Sequence, residues 1–194
     1  MKPLVWSLVV MGGLSVIMGA FVLLTPPGCA QWASNERNAS ASLKTLASAQ
    51  GDFRGNDRDG NRIQDFWRGD VSGLYGARPA GSEEMIKLIE ISVAGADTAP
   101  LDGGPGLVAR DQYVVFAPKA GYWFRALHHD DEDPDALDPQ RFAACAYPAF
   151  YPKGGRKTYV LSEGHAIYQR DTGGRPPDVF PDPDTLKRDW TPLD

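Results

Sequence analysis

Leu4 to Leu24 is an unbroken run of uncharged, mostly apolar residues behind the short leader Met1-Lys2-Pro3. A run of about 20 such residues is long enough to cross the hydrocarbon of a bilayer as a helix. Nothing else in the chain is apolar enough to bury it in a soluble core. Thr25-Pro26-Pro27-Gly28 ends it, because proline cannot continue a helix and pushes the residue before it toward extended backbone. Residues 1–30 are therefore expected to form a signal or transmembrane segment, and residues 31–194 an extracytoplasmic domain. Lys2 on the inside fits that orientation. Three fates are open: an uncleaved anchor, a signal cleaved after Gly28 and Ala30, or a lipoprotein modified at Cys29, where Pro26 replaces the expected apolar residue. With the anchor or the lipoprotein the chain's partner is a membrane of the cell envelope; cleavage means secretion.

The rest of the chain is long enough to bury a core. With 42% hydrophobic and 23% charged residues the protein has the make-up of a folded domain and not of a disordered one. A formal net charge of −5 excludes nucleic acid as a partner, since phosphate binding needs a basic surface. Two cysteines make no disulfide framework. Cys145, in Ala143-Ala144-Cys145-Ala146, reads as a buried small hydrophobe, and its pairing with Cys29 is the alternative.

Apolar positions Trp32, Ala39, Leu43, Leu46, Ala49 or Gln50, and Phe53 recur at three- and four-residue steps, which predicts an amphipathic helix from about Gln31 to Phe53. A second helix is expected from Ser82 to about Val93, with Ser82 as its cap and Met85, Ile86, Leu88 and Ile89 on its buried face. Strands are expected at Tyr122–Leu127, Arg141–Tyr147, and in a hairpin of Lys157–Ser162 with His165–Arg170 around Glu163-Gly164. Asp182 before Pro183 announces a short helix through Arg188. The fold class is α+β, an amphipathic helix packed on a C-terminal antiparallel sheet. The aromatics Trp67, Tyr75, Tyr122, Trp123, Phe124, Tyr147, Phe150, Tyr151, Tyr159 and Tyr168 are expected to fill the layer between them.

Three blocks carry a resemblance: Gly121-Tyr122-Trp123-Phe124-Arg125, then Ala146-Tyr147-Pro148-Ala149-Phe150-Tyr151, then Thr158-Tyr159-Val160 with Gly164, Ile167-Tyr168 and Asp171 before Gly173. Together they resemble a bacterial family of exported proteins of unknown function, the DUF2950 type. The segment Asn38 to Gln50 also resembles pseudopilin-like proteins, in which a membrane helix continues into an amphipathic helix laid on a small sheet. That second resemblance implies pilin-like architecture and secretion- or pilus-type envelope proteins as partners. It does not imply filament assembly, because the Gly-Phe processing site and the following glutamate are missing and Pro26 and Pro27 interrupt the helix.

The sharpest local chemistry is Asp57-Arg58-Asp59-Gly60-Asn61-Arg62-Ile63-Gln64-Asp65, which resembles extracellular calcium loops. Oxygen side chains at Asp57, Asp59, Asn61 and Asp65 suit a hard cation such as Ca²⁺, which gathers six to eight oxygens around a tight turn. Against this, Arg62 stands where such loops place glycine, and Arg68 where they place a closing glutamate. The plain alternative is a solvated turn after a helix. His128-His129 with the acidic run to Asp138 reads as a solvated loop, because neighbouring residues point apart. Ser162 and His165 flank a turn without any sign of an oxyanion hole. No catalytic residue is assigned. The expected function is a non-enzymatic, membrane-anchored envelope protein of pilin-like build, with a metal- or ligand-binding periplasmic domain, enzymatic or not, as the alternative.

Overall fold

The computed structural model describes residues 29–129 and 138–193, with the side chains of Cys29 and Ala30 left aside. The apolar run, and most of the acidic run that follows His129, lie outside the described residues. Among the described residues, no helix is long and apolar enough to cross a membrane. Residues 32–194 make one compact unit.

Helix α1 spans Cys29–Gly55. Its inward positions, Asn35, Ala39, Ser42, Leu43, Leu46, Ala49, Gln50 and Phe53, follow the three- and four-residue steps that put side chains on one stripe. Strands β1 (Tyr122–His129), β2 (Ala143–Pro148), β3 (Lys157–Ser162), β4 (Ile167–Asp171), β5 (Val179–Phe180) and β6 (Thr191–Leu193) form one sheet in the order β5-β1-β2-β3-β4-β6. The pairings are antiparallel except β1 with β5, which is parallel, so the sheet is mixed at one edge. The expected antiparallel sheet is corrected to that extent: β5 returns from a proline-rich connection instead of a tight hairpin.

Alternation along the strands divides the sheet into two faces. Tyr122, Phe124, Ala144, Ala146, Tyr159, Leu161 and Ile167 share a core with Leu43, Leu46 and Phe53 of α1. Leu127, Ala143, Cys145 and Val160 turn the other way, toward Phe180, Trp190 and the partly buried Leu186. Leu186 belongs to a short helix Pro183–Asp189, here α4, whose N-cap Asp182 accepts from the amides of Asp184 and Thr185. Small residues in β2 let the two covers approach the sheet closely. The fold is α+β, as its residue pattern predicts.

The helix expected over Ser82–Val93 does not form. Amides of Ile86, Lys87 and Leu88 donate to the carbonyls of Ala77, Tyr75 and Leu74 in place of a helical ladder, and Lys87 turns to a left-handed φ of 52°. Ser82 bonds the Glu84 amide at 3.0 Å as a local turn. Short helices form before it and at its end instead: α2 (Gly73–Gly76), and α3 (Ile91–Gly95), which takes in the last three expected positions. Phe150 and Tyr151 also depart from expectation. They are 69% and 44% exposed, because they sit on the loop beyond β2 and not in the layer under α1.

Candidate functional site

The acidic loop leaves the last turn of α1. Asp52 grips Arg58 through two contacts of 2.5 and 3.1 Å, fixing how the chain exits. The guanidinium holds the Asp52 carboxyl below its ordinary range. The four residues singled out by spacing do gather. Asp57 takes the amide of Arg62 on both carboxylate oxygens, at 3.0 and 3.1 Å. Asp59 accepts from the Asn61 amide nitrogen at 2.8 Å and from its backbone N–H at 3.2 Å. The same side-chain nitrogen reaches Asp65 at 3.5 Å. Burial, against the pull of the Asn61 backbone amide and helped by the neighbouring charges of Asp65 and Asp57, pushes the Asp59 carboxyl up.

Two features of this loop bear on a cation. Arg62 adopts φ 69°, the left-handed conformation that calcium loops reserve for glycine at the sharp turn, so the missing glycine has not prevented the turn. The other Asp65 oxygen, Oδ1, is shut away from solvent and meets no hydrogen-bond donor among the described residues. The donor set is chemically right for Ca²⁺, but the side chains as they stand are not arranged around one point. Among the described residues, no three histidine, cysteine or carboxylate side chains converge at metal-ligand spacing. Asn61 explains why. Its NH₂ sits between Asp59 and Asp65, and its oxygen accepts from the Ile63 amide at 2.6 Å. A hydrogen-bond donor therefore occupies the place of the ion, and binding would require the amide to turn over.

The other predicted candidates do not assemble a site. His128 is exposed and His129 buried, as alternation along β1 dictates. The His129 Nε2 lies 3.1 Å from Glu163 Oε2 and 3.3 Å from the Phe142 carbonyl. Phe180 packs against the ring at 4.9 Å. His165 is exposed, and its backbone N–H closes the hairpin turn on the Ser162 carbonyl at 2.9 Å. Cys145 is a buried thiol with no disulfide.

A pair of buried carboxylates gave no warning in the residue pattern. Asp97 accepts from the amides of Val71 and Ser72 at 2.8 Å each and from Ala99 at 3.0 Å. Asp70 accepts from Gly73 N–H at 2.7 Å, Trp67 Nε1 at 3.0 Å, Ser72 Oγ at 2.7 Å and the Leu101 amide at 2.8 Å. Gly73 is required here, since a Cβ would lie 2.2 Å from the Trp67 ring. Every oxygen is spent on holding two loops together, which makes a clasp and not a reaction centre. The one signal to be had was that Asp97 is a lone acid after the small apolar stretch Val93-Ala94-Gly95-Ala96.

A family model described as "Protein of unknown function (DUF2950)" matches residues 31–183. No curated protein matches the chain, and no solved structure matches it.

Proposed function

We propose, for a chain that belongs to the DUF2950 family of proteins of unknown function, the role of a membrane-tethered envelope protein that presents a stiff helix-on-sheet domain to other envelope proteins. The observation that carries this reading is the placement of α1. It begins at Cys29, just past the Pro-Pro-Gly that ends the apolar run, and its buried face from Asn35 to Phe53 shares one core with the sheet. A tether joined to such a helix is joined to an element that shares the sheet's own core. This is the sense in which the arrangement is pilin-like; filament assembly forms no part of it.

The test is made on the full-length chain in native membranes. Pelleting with membranes through an alkaline wash, and recovery of defined envelope proteins after cross-linking, are the expected results. Mass measurement of the mature chain distinguishes an intact leader, a new start at Gln31 and an acylated Cys29. A product freely dissolved in the cytosol would overturn the reading.

The orphaned Asp65 oxygen favours a second reading, in which the loop of Asp57, Asp59, Asn61 and Asp65 takes Ca²⁺ weakly once Asn61 turns over. Millimolar Ca²⁺ is then expected to raise the unfolding midpoint, because an ion that binds only the native state stabilises it by mass action. An unchanged midpoint at saturating Ca²⁺ removes this reading and leaves the first one standing.

A further inference from the structure

The loop between β2 and β3 is built onto the start of α1. Asn35 donates to the Gly154 carbonyl at 2.8 Å, and Glu36 Oε1 accepts from the amides of Arg156 and Lys157 at 2.9 and 3.2 Å. Arg156 lies over the Trp32 ring at 5.9 Å. Gly121, at φ 78°, allows this close approach, because a Cβ there would meet the Asn35 amide at 2.8 Å. Tyr151 lies over Gly174, where a Cβ would come within 2.5 Å of its own, and so brings in Arg175.

The outward side of this pole is unusual for the molecule. Among the described residues, Phe150 is the second most exposed of the large hydrophobic side chains, at 69%, and Tyr151 is 44% exposed beside it. Lys153, Arg156 and Arg175 are exposed around them. Of the carboxylates nearby, Glu36 accepts from two backbone amides and Asp171 from the Gly173 amide at 3.0 Å and the Tyr151 hydroxyl at 3.4 Å, while Asp178 and Asp182 line the hollow on the far side of Arg175 that Asp171 also lines. Three exposed cations beside two exposed aromatic rings are a local concentration on a chain of net charge −5.

Chain length says what meets it. Only residues 25–28 separate the apolar run from α1, and four residues reach at most about 14 Å even when fully extended. Trp32 comes one turn into the helix. We infer that Trp32, Phe150 and Tyr151, ringed by Lys153, Arg156 and Arg175, form a surface that seats the domain on anionic lipid headgroups of the bilayer holding its own tether. Aromatic rings with a polar edge favour the headgroup level, and each basic side chain near an anionic surface adds about 1 kcal/mol of attraction. This inference rests on the tethered reading above.

The experiment reconstitutes the full-length chain in nanodiscs of zwitterionic lipid, with and without about one-third anionic lipid. Hydroxyl-radical footprinting then reads side-chain access by mass spectrometry. The expected result is that Phe150 and Tyr151 are labelled at least threefold more slowly in anionic discs than in zwitterionic ones. Ile63, exposed beyond the opposite end of α1, should be labelled equally in both. The pair Lys153→Glu and Arg156→Glu is expected to abolish the protection while the labelling of Ile63 stays unchanged and unfolding remains a single cooperative transition. Incorporation into discs is scored separately. A chain that incorporates but labels Phe150 and Tyr151 equally in both lipids overturns the inference and spares the tether. A chain that never incorporates overturns both. Protection that instead grows with protein concentration assigns the pole to a second protein and also overturns the inference.

Discussion

Arg62 holds a left-handed backbone angle of 69° on an exposed loop. For an L-residue that conformation costs about 1–2 kcal/mol, part of which glycine recovers before its looser unfolded chain is counted. Arg62→Gly is therefore expected to stabilise the domain by about 0.5–1 kcal/mol, seen as a higher urea midpoint at unchanged slope. A lower midpoint would mean that the arginine side chain holds the turn in some other way. Cys145 illustrates the opposite situation, a residue whose chemistry is silenced by its place. It is wholly buried between the sheet's second face and its cover, and burial pushes the thiol up to about 12. Since thiolate is the reactive form, Cys145 should resist alkylation at pH 8 in the native protein and react fully in denaturant. Rapid labelling without denaturant would show that this face opens. The same burial is what its small neighbours announce in sequence, so this residue was legible from its surroundings alone.

At the level of elements, the clasp of Asp70 and Asp97 joins the turn before α2 to the segment after α3. Asp97 is fully buried, and desolvation, opposed by the three amides it accepts from, raises its carboxyl from 3.8 to about 6. The folded state then holds its proton more tightly than the unfolded one. The stability this adds is complete below about pH 4 and is lost as pH rises to about 6; a two-unit difference is worth about 3 kcal/mol at most. Asp97→Asn should flatten the stability profile between pH 4 and 6. It should also lower stability at pH 7 by about 2 kcal/mol, because one amide oxygen cannot serve three N–H donors and its NH₂ faces one of them. Urea denaturation at several pH values reads both effects. Neither carboxylate declares its role in sequence, because their partners lie up to 31 residues away. Helix α1, in contrast, was legible nearly to its ends: its buried stripe from Asn35 to Phe53 repeats for about five turns. The stretch from Ser82 to Val93 has Met85, Ile86, Leu88 and Ile89, a spacing that fits either period, and there carbonyls outside the stretch decided against a helix over most of it. Phe150 and Tyr151 were misplaced because strand aromatics suggest a core, and only the loop's docking on α1 shows them facing out.

For the molecule as a whole, α1 is a strut with a different end at each pole. Asn35 and Glu36 hold the basic aromatic loop, and Gln50 and Arg54 hold the segment after the acidic loop, bonding Trp67 and the Gln64 carbonyl. About 27 Å of helix lies between Asn35 and Phe53. Perturbations more than about 10 Å apart with no shared partner add within about 0.5 kcal/mol. Asn61→Asp, which replaces the intruding NH₂ by an oxygen, should therefore increase any Ca²⁺-induced rise in midpoint without altering the lipid footprint of Phe150. The Lys153→Glu and Arg156→Glu pair should leave the Ca²⁺ response untouched. Leu43→Ala, in the buried seam that joins strut to sheet, is the variant expected to break this independence. It removes a side chain with no exposure, at a cost of about 2–5 kcal/mol. Because both poles are built on the same helix, that loss should weaken Ca²⁺ response and lipid protection together. Either response surviving intact in a clearly destabilised Leu43→Ala protein would show that its loop is held by the sheet alone, and that α1 does not carry order from one end of the domain to the other.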